Sequence, residues 1–101
     1  MGVILSNVNS QYITKSLIKS LYFNKVIIEI ENFPGNNKTY FFAEDIQNNC
    51  YDLLSSVKKL NYVVKVYFNN NVIYGIKYTC DCNVYLSNKL QPNTFGYKLQ
   101  D

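Results

Sequence analysis

Histidine, tryptophan and arginine are all missing from this chain of 101 residues, whose 10 cationic side chains are all lysines. Without histidine there is no imidazole base, no Ser-His or Cys-His dyad and no imidazole metal ligand. Without arginine there is no bidentate clamp for phosphate or carboxylate. Carboxylates are also few, with 7 Asp and Glu in total, and no pair of them stands in a recognisable acid/base context. These absences lead to the expectation of a protein that is not an enzyme and carries no cofactor or metal. Long apolar runs are missing too. Val26 to Ile28 and Tyr40 to Ala43 fall far short of a membrane span, and no basic segment leads into an apolar stretch at the N-terminus. The expected location is therefore intracellular, cytoplasmic or, in a eukaryote, nuclear, with no membrane partner.

What is present suffices for one domain over residues 1–101. The chain is 48% hydrophobic and 17% charged, so it can bury a core. A net charge of +3 is only mildly basic, and the lysines are scattered, Lys58 and Lys59 being adjacent. The abundance of asparagine and tyrosine resembles the codon bias of an AT-rich genome.

Apolar spacing predicts the elements. Val3, Ile4 and Leu5 suit a brief strand. Ile13, Leu17, Ile18 and Leu21 recur at helical spacing and predict a helix over roughly 11–23. Residues 25–33 alternate and read as a strand, Pro34 to Asn37 as a turn, and 38–43 as the returning strand. A four-residue loop would pair Phe33 with Lys38, Ile30 with Phe41 and Ile28 with Ala43, which sends Tyr40 and Phe42 to the open face beside Glu29 and Glu31. Ile46, Cys50, Leu53, Val57 and Leu60 form the stripe of a second helix over 45–60, with acid at its start, Lys58-Lys59 at its end and Asn61 as terminator. Residues 62–68 alternate, and from Val72 to Leu86 every even position is apolar. Pairing Phe68 with Val72 leaves Asn69 to Asn71 as a three-residue loop. Fifteen residues is long for one strand, so a bend or bulge near Cys80 is expected. Phe95, Tyr97 and Leu99 suit a last strand. Cys50, Cys80 and Cys82 all fall in apolar phase and are expected to pack as inert core thiols, ahead of a disulfide from Cys50 or a metal site.

In order and spacing, the segments over 3–68 resemble the RNA recognition motif. Val3-Ile4-Leu5-Ser6-Asn7-Val8 is similar to the family's first-strand hexamer. Lys38-Thr39-Tyr40-Phe41-Phe42-Ala43-Glu44-Asp45 is similar to its third-strand octamer, 35 residues on. The sequence departs from the pattern at Ile4, Thr39, Phe41 and Asp45. The resemblance implies an α+β fold: a ferredoxin-like βαββαβ two-layer sandwich, with two helices on one face of an antiparallel sheet and an appended C-terminal strand pair over 72–101. It also implies that bases stack on the third strand's outward aromatics, Tyr40 and Phe42.

Two functions follow as expectations. In the first, the open sheet face binds single-stranded RNA, with Tyr40 and Phe42 stacking on bases and Lys38, Lys65 and Lys77 meeting phosphates, among Ile4, Tyr67 and Ile73. In the second, the same aromatic face or an exposed strand edge binds a protein, as an adaptor, a particle subunit or an inhibitor made by a mobile element, with room for a homodimer. The alternative to both is that the appended strands or a dimer mate cover this face, so that its aromatics are simply core.

Overall fold

In a computed structural model, residues 8–30 and 33–89 are described. The first strand expected at 3–5 and the last at 95–99 lie outside them. The observed order is β1 (Asn9–Ile13), a 3-10 turn (Lys15–Leu17), β2 (Ile18–Leu21), β3 (Lys25–Glu29), β4 (Asn37–Phe42), a 3-10 turn (Glu44–Ile46), α1 (Gln47–Leu60), β5 (Val64–Asn69), β6 (Val72–Tyr78) and β7 (Tyr85–Leu86). The strands form one mixed sheet in the order β1-β5-β6-β4-β3-β2, with β7 pairing on β6. All pairings are antiparallel except the parallel contact of β4 with β6.

This overturns the ferredoxin-like expectation, because among the described residues there is one α-helix where that fold needs two. The helix expected over 11–23 is instead two strands and a turn. Thr14 accepts the Leu17 N–H at 3.1 Å and starts the 3-10 turn. In β2 a bulge falls between Ile18 and Ser20, while Ile18 and Leu21 lie opposite Ile28 and Val26. The extra residue puts two apolar side chains three positions apart on the same sheet face, so a bulged strand carries the spacing of a helix. Tyr12, Ile13, Thr14 and Ile18 are also residue types that fit a pleated surface better than a helix.

The second helix forms much as its stripe implies. Cys50, Leu53, Leu54 and Val57 are buried along α1, and Asn61 ends it in the left-handed conformation at φ 63°. Leu60, expected on the stripe, is exposed.

Register decides the faces of β3 and β4. Val26 lies opposite Tyr40, Ile28 opposite Lys38 and Glu29 opposite Asn37. The turn is therefore not the four-residue loop expected. Ile30 N–H reaches Asn36 O at 2.9 Å, and Gly35, at φ 91°, gives its N–H to Glu29 Oε2 at 2.9 Å. The observed register differs from the expected one by an odd number of residues, which moves every side chain of β4 to the other face. Tyr40 and Phe42 consequently enter the core, and Phe41 faces out.

The β5–β6 hairpin is also tighter than expected, with Asn69 opposite Val72 and Asn70 alone at positive φ, 56°. A register shift then brings Ile73 opposite Phe68 and Gly75 opposite Tyr67. This bulge breaks the even-numbered apolar phase, so Ile73 and Ile76 are both fully buried. β6 ends at Tyr78 and the chain turns back to pair Tyr85 with Ile76 and Leu86 with Gly75. The expected interruption is thus a bulge followed by a reversal, and the reversal leaves Cys80 and Cys82 exposed rather than buried.

The core lies between α1 and one face of the sheet, built on Ile13, Val26, Ile28, Tyr40, Val64, Val66, Ile73 and Ile76 against the helix stripe. Tyr40 donates its hydroxyl hydrogen to Gln11 Oε1 at 3.1 Å. β1 and β4 are separated in the sheet by β5 and β6, so this bond ties two non-adjacent strands together across the core face.

Candidate interaction surface

Tyr40 and Phe42, expected to stack on bases, are 1% and 5% exposed. The Tyr40 ring packs on Phe68 with centroids 4.8 Å apart. Lys38 shares their face, its Nζ 4.8 Å from the Tyr40 ring and 5.3 Å from that of Phe68. Ile73 is fully buried in the same core. Ile4 lies outside the described residues. Lys65 and Tyr67 do face away from α1, but both are buried. Lys65 Nζ stands 5.3 Å from the Tyr12 ring and 5.6 Å from the Tyr67 ring. Tyr67 belongs to a small second cluster with Val8, packed by Tyr74, Val84 and Leu86. The chain after β6 therefore covers this part of the face. Lys77 is half-buried and gives a hydrogen bond from Nζ to Asp81 O at 3.3 Å. The expected residues do not assemble into one open surface.

Two other surfaces do present exposed side chains. On the outward face, Lys25 Nζ lies 5.3 Å from the exposed Tyr22 ring and 5.8 Å from that of Phe41. Further along β3, Glu29 accepts the Gly35 N–H and pairs with Lys19 at 3.5 Å. The Gly35 bond above all, with Lys19 behind it, holds the Glu29 carboxyl below its ordinary range despite some desolvation.

The second surface is a groove of about 280 Å³ between α1 and β2, lined by Leu21, Tyr51, Asp52, Ser55, Lys58 and Lys59. Its helical wall is legible in the sequence, since Tyr51, Ser55, Lys58 and Lys59 stand at i, i+4, i+7 and i+8 and share one side of α1. Its other wall could not be read, because 18–21 carries a helical spacing. The Phe23 ring meets the Tyr51 ring at 6.0 Å. Among the described residues β2 pairs with β3 alone, so it is an edge strand. Tyr22 N–H points inward to Lys25 O at 2.8 Å. Strand alternation therefore turns the N–H and C=O of Leu21 outward, along the groove.

The end of β7 is tied to the start of α1. Ser87 Oγ donates to Asp45 Oδ1 at 2.7 Å and Asn88 N–H to Asp45 Oδ2 at 2.6 Å. Desolvation raises the Asp45 carboxyl, but hydrogen bonds from Asn88, Ser87 and its own backbone N–H, with the Lys89 charge, together outweigh it and hold the group below its ordinary value. Burial, with the Asp45 charge adding to it, pushes the Cys50 thiol up to about 12. No cluster of three or more Cys, Asp or Glu suited to a metal exists among the described residues. No family model matches the chain, and comparison with curated proteins and with solved structures finds no match either.

Proposed function

We propose that this is a small non-catalytic binding domain that takes an extended segment of a partner protein along β2, in the groove beside α1. The observation that carries this reading is that β2, an edge strand among the described residues, runs beside a side-chain groove. An added strand gains main-chain hydrogen bonds from such an edge, and the groove selects its alternate side chains. Leu21 offers an apolar floor, Tyr51 an aromatic wall, and Lys58 and Lys59 a cationic end. Asp52 and Lys59 are seven helical residues apart, about 10.5 Å, which is about three residues of extended chain. The segment that fits carries an aliphatic side chain over Leu21 and an acidic one at the Lys58–Lys59 end. RNA binding loses its stacking pair, since Tyr40 and Phe42 are core residues.

Selection from a random peptide display library, followed by titration of the selected peptides, tests this. Supporting peptides bind the wild type, lose binding to Ser55→Trp, which fills the groove, and lose it again when alternate peptide nitrogens are methylated. A protein that selects no peptide overturns the reading. So does one that binds mixed-sequence single-stranded RNA undiminished in Ser55→Trp but not in Tyr22→Ala/Phe41→Ala, an outcome that assigns function to the outward aromatics instead.

A further inference from the structure

Cys80 and Cys82 differ from Cys50 in their access to solvent and to a reaction partner. All three are free thiols, but Cys50 lies fully buried against the sheet, whereas the other two are exposed in the reversal between β6 and β7. The turn is braced on both sides: Asp81 N–H bonds to Tyr78 O at 3.0 Å, Asn83 N–H to Asp81 Oδ1 at 3.1 Å, and Lys77 Nζ to Asp81 O at 3.3 Å. One residue separates the two thiols. Cα atoms two apart span at most about 7 Å in a fully extended chain, and the backbone here turns at 79–80 and bends at 82. A departure from full extension at Asp81 would put the pair within the roughly 4.4–6.8 Å that a disulfide accepts.

We infer that Cys80 and Cys82 are a redox site, a dithiol that closes to an intramolecular disulfide by exchange with a small disulfide oxidant such as glutathione disulfide. One cysteine sulfur, as thiolate, attacks a glutathione sulfur; the oxidant's S–S bond breaks, and a glutathione thiolate leaves and takes up the proton the cysteine lost. The second cysteine sulfur, deprotonated in turn, attacks the resulting mixed disulfide. The Cys80–Cys82 bond forms and the second glutathione departs as a thiol. Two electrons pass from the protein to the oxidant, and one glutathione disulfide becomes two glutathiones. The site responds to the thiol–disulfide poise of its surroundings and lies on the turn that sets β7 against β6.

Equilibration of the full chain in glutathione buffers of graded ratio, followed by acid quench and trypsin, tests this directly. Cleavage after Lys77 and Lys89 places both cysteines in one peptide, 78–89. That peptide is expected two hydrogens lighter in oxidising buffer and restored by dithiothreitol, with Cys50 still free. Cys80→Ser and Cys82→Ser, each at an exposed position and checked for native circular dichroism, lose the lighter peptide altogether. Each accumulates glutathione on the remaining cysteine. A wild-type peptide that stays reduced at every ratio overturns the inference. So does one that carries only glutathione, or links only to a second copy of the chain.

Discussion

At Tyr40 and Phe41, neighbours along one strand sit in opposite environments. Tyr40 is fully buried with its hydroxyl on Gln11, whereas Phe41 is 40% exposed beside Lys25. Truncating a buried aromatic costs about 3–5 kcal/mol, through lost transfer energy and the cavity left behind. Tyr40→Ala is therefore expected to lower stability by about that amount in urea unfolding. Phe41→Ala removes a half-solvated ring and one exposed cation–π contact, worth roughly 0.5–1 kcal/mol. A larger loss from Phe41→Ala than from Tyr40→Ala would mean that the β3–β4 register is shifted by an odd number.

At the scale of the element, β6 shows how a bulge and a glycine set a strand's two sides. Its bulge returns Ile73 and Ile76 to one face, and Gly75 lies opposite Tyr67 with Leu86 packed over it. A Cβ at Gly75 would stand 2.9 Å from Leu86 Cδ2 and 3.2 Å from Tyr67 Cδ2. Gly75 has no positive φ to preserve, so the constraint is close approach. Overpacking of this kind costs typically about 1–3 kcal/mol. Gly75→Ala is expected near the low end, because a leucine tip can rotate away. In a double-mutant cycle followed by thermal unfolding, Gly75→Ala is expected to cost less in a Leu86→Ala background. Additive losses would show that β7 does not pack on Gly75.

At the scale of the molecule, one face of the sheet packs against one helix, and Ser87 and Asn88, just after β7, are fastened through Asp45 to the 3-10 turn that leads into that helix. Because the folded Asp45 ionises below its ordinary pKa near 3.9, the unfolded state binds more protons between the two values. Stability there rises with pH. The contribution is complete above about pH 5 and is lost as acidification passes the ordinary and then the folded pKa. Denaturant midpoints measured from pH 6 to pH 2 are expected to fall less steeply in Asp45→Asn than in the wild type. The slope that persists belongs partly to Glu29, whose folded carboxyl is lowered in the same sense. An Asp45→Asn profile parallel to the wild type would show that the Ser87 and Asn88 contacts do not hold the charged form.

Residue order alone is enough to read α1 from the sequence, because an apolar stripe of period 3.6 between acidic and basic ends, stopped by an asparagine, has one good reading. The sequence placed strands over 25–33, 38–43, 62–68 and 72–86, within which β3, β5 and β6 form and with which β4 overlaps, apart from the last residue of β5 and the first of β4, and it placed Cys50 in the core. It also removed, by composition, every chemistry that needs an imidazole or a guanidinium. Which faces those strands bury depends on pairing partners that residue order does not name. Tyr40, Phe41, Phe42 and Ala43 are consecutive and apolar, so either alternate set can enter a core, and a turn one residue different exchanges them. Only the fold could distinguish a bulged β2 from a helix, since Ile18 and Leu21 satisfy both spacings until Ile28 and Val26 stand opposite them. Cys80 and Cys82 follow the same rule: their apolar phase along the chain holds only while the strand continues, and hydrogen bonds of the reversal at 78–83 end it. Local periodicity reports what a segment can bury, and the pairing partner chooses which of those choices it does bury.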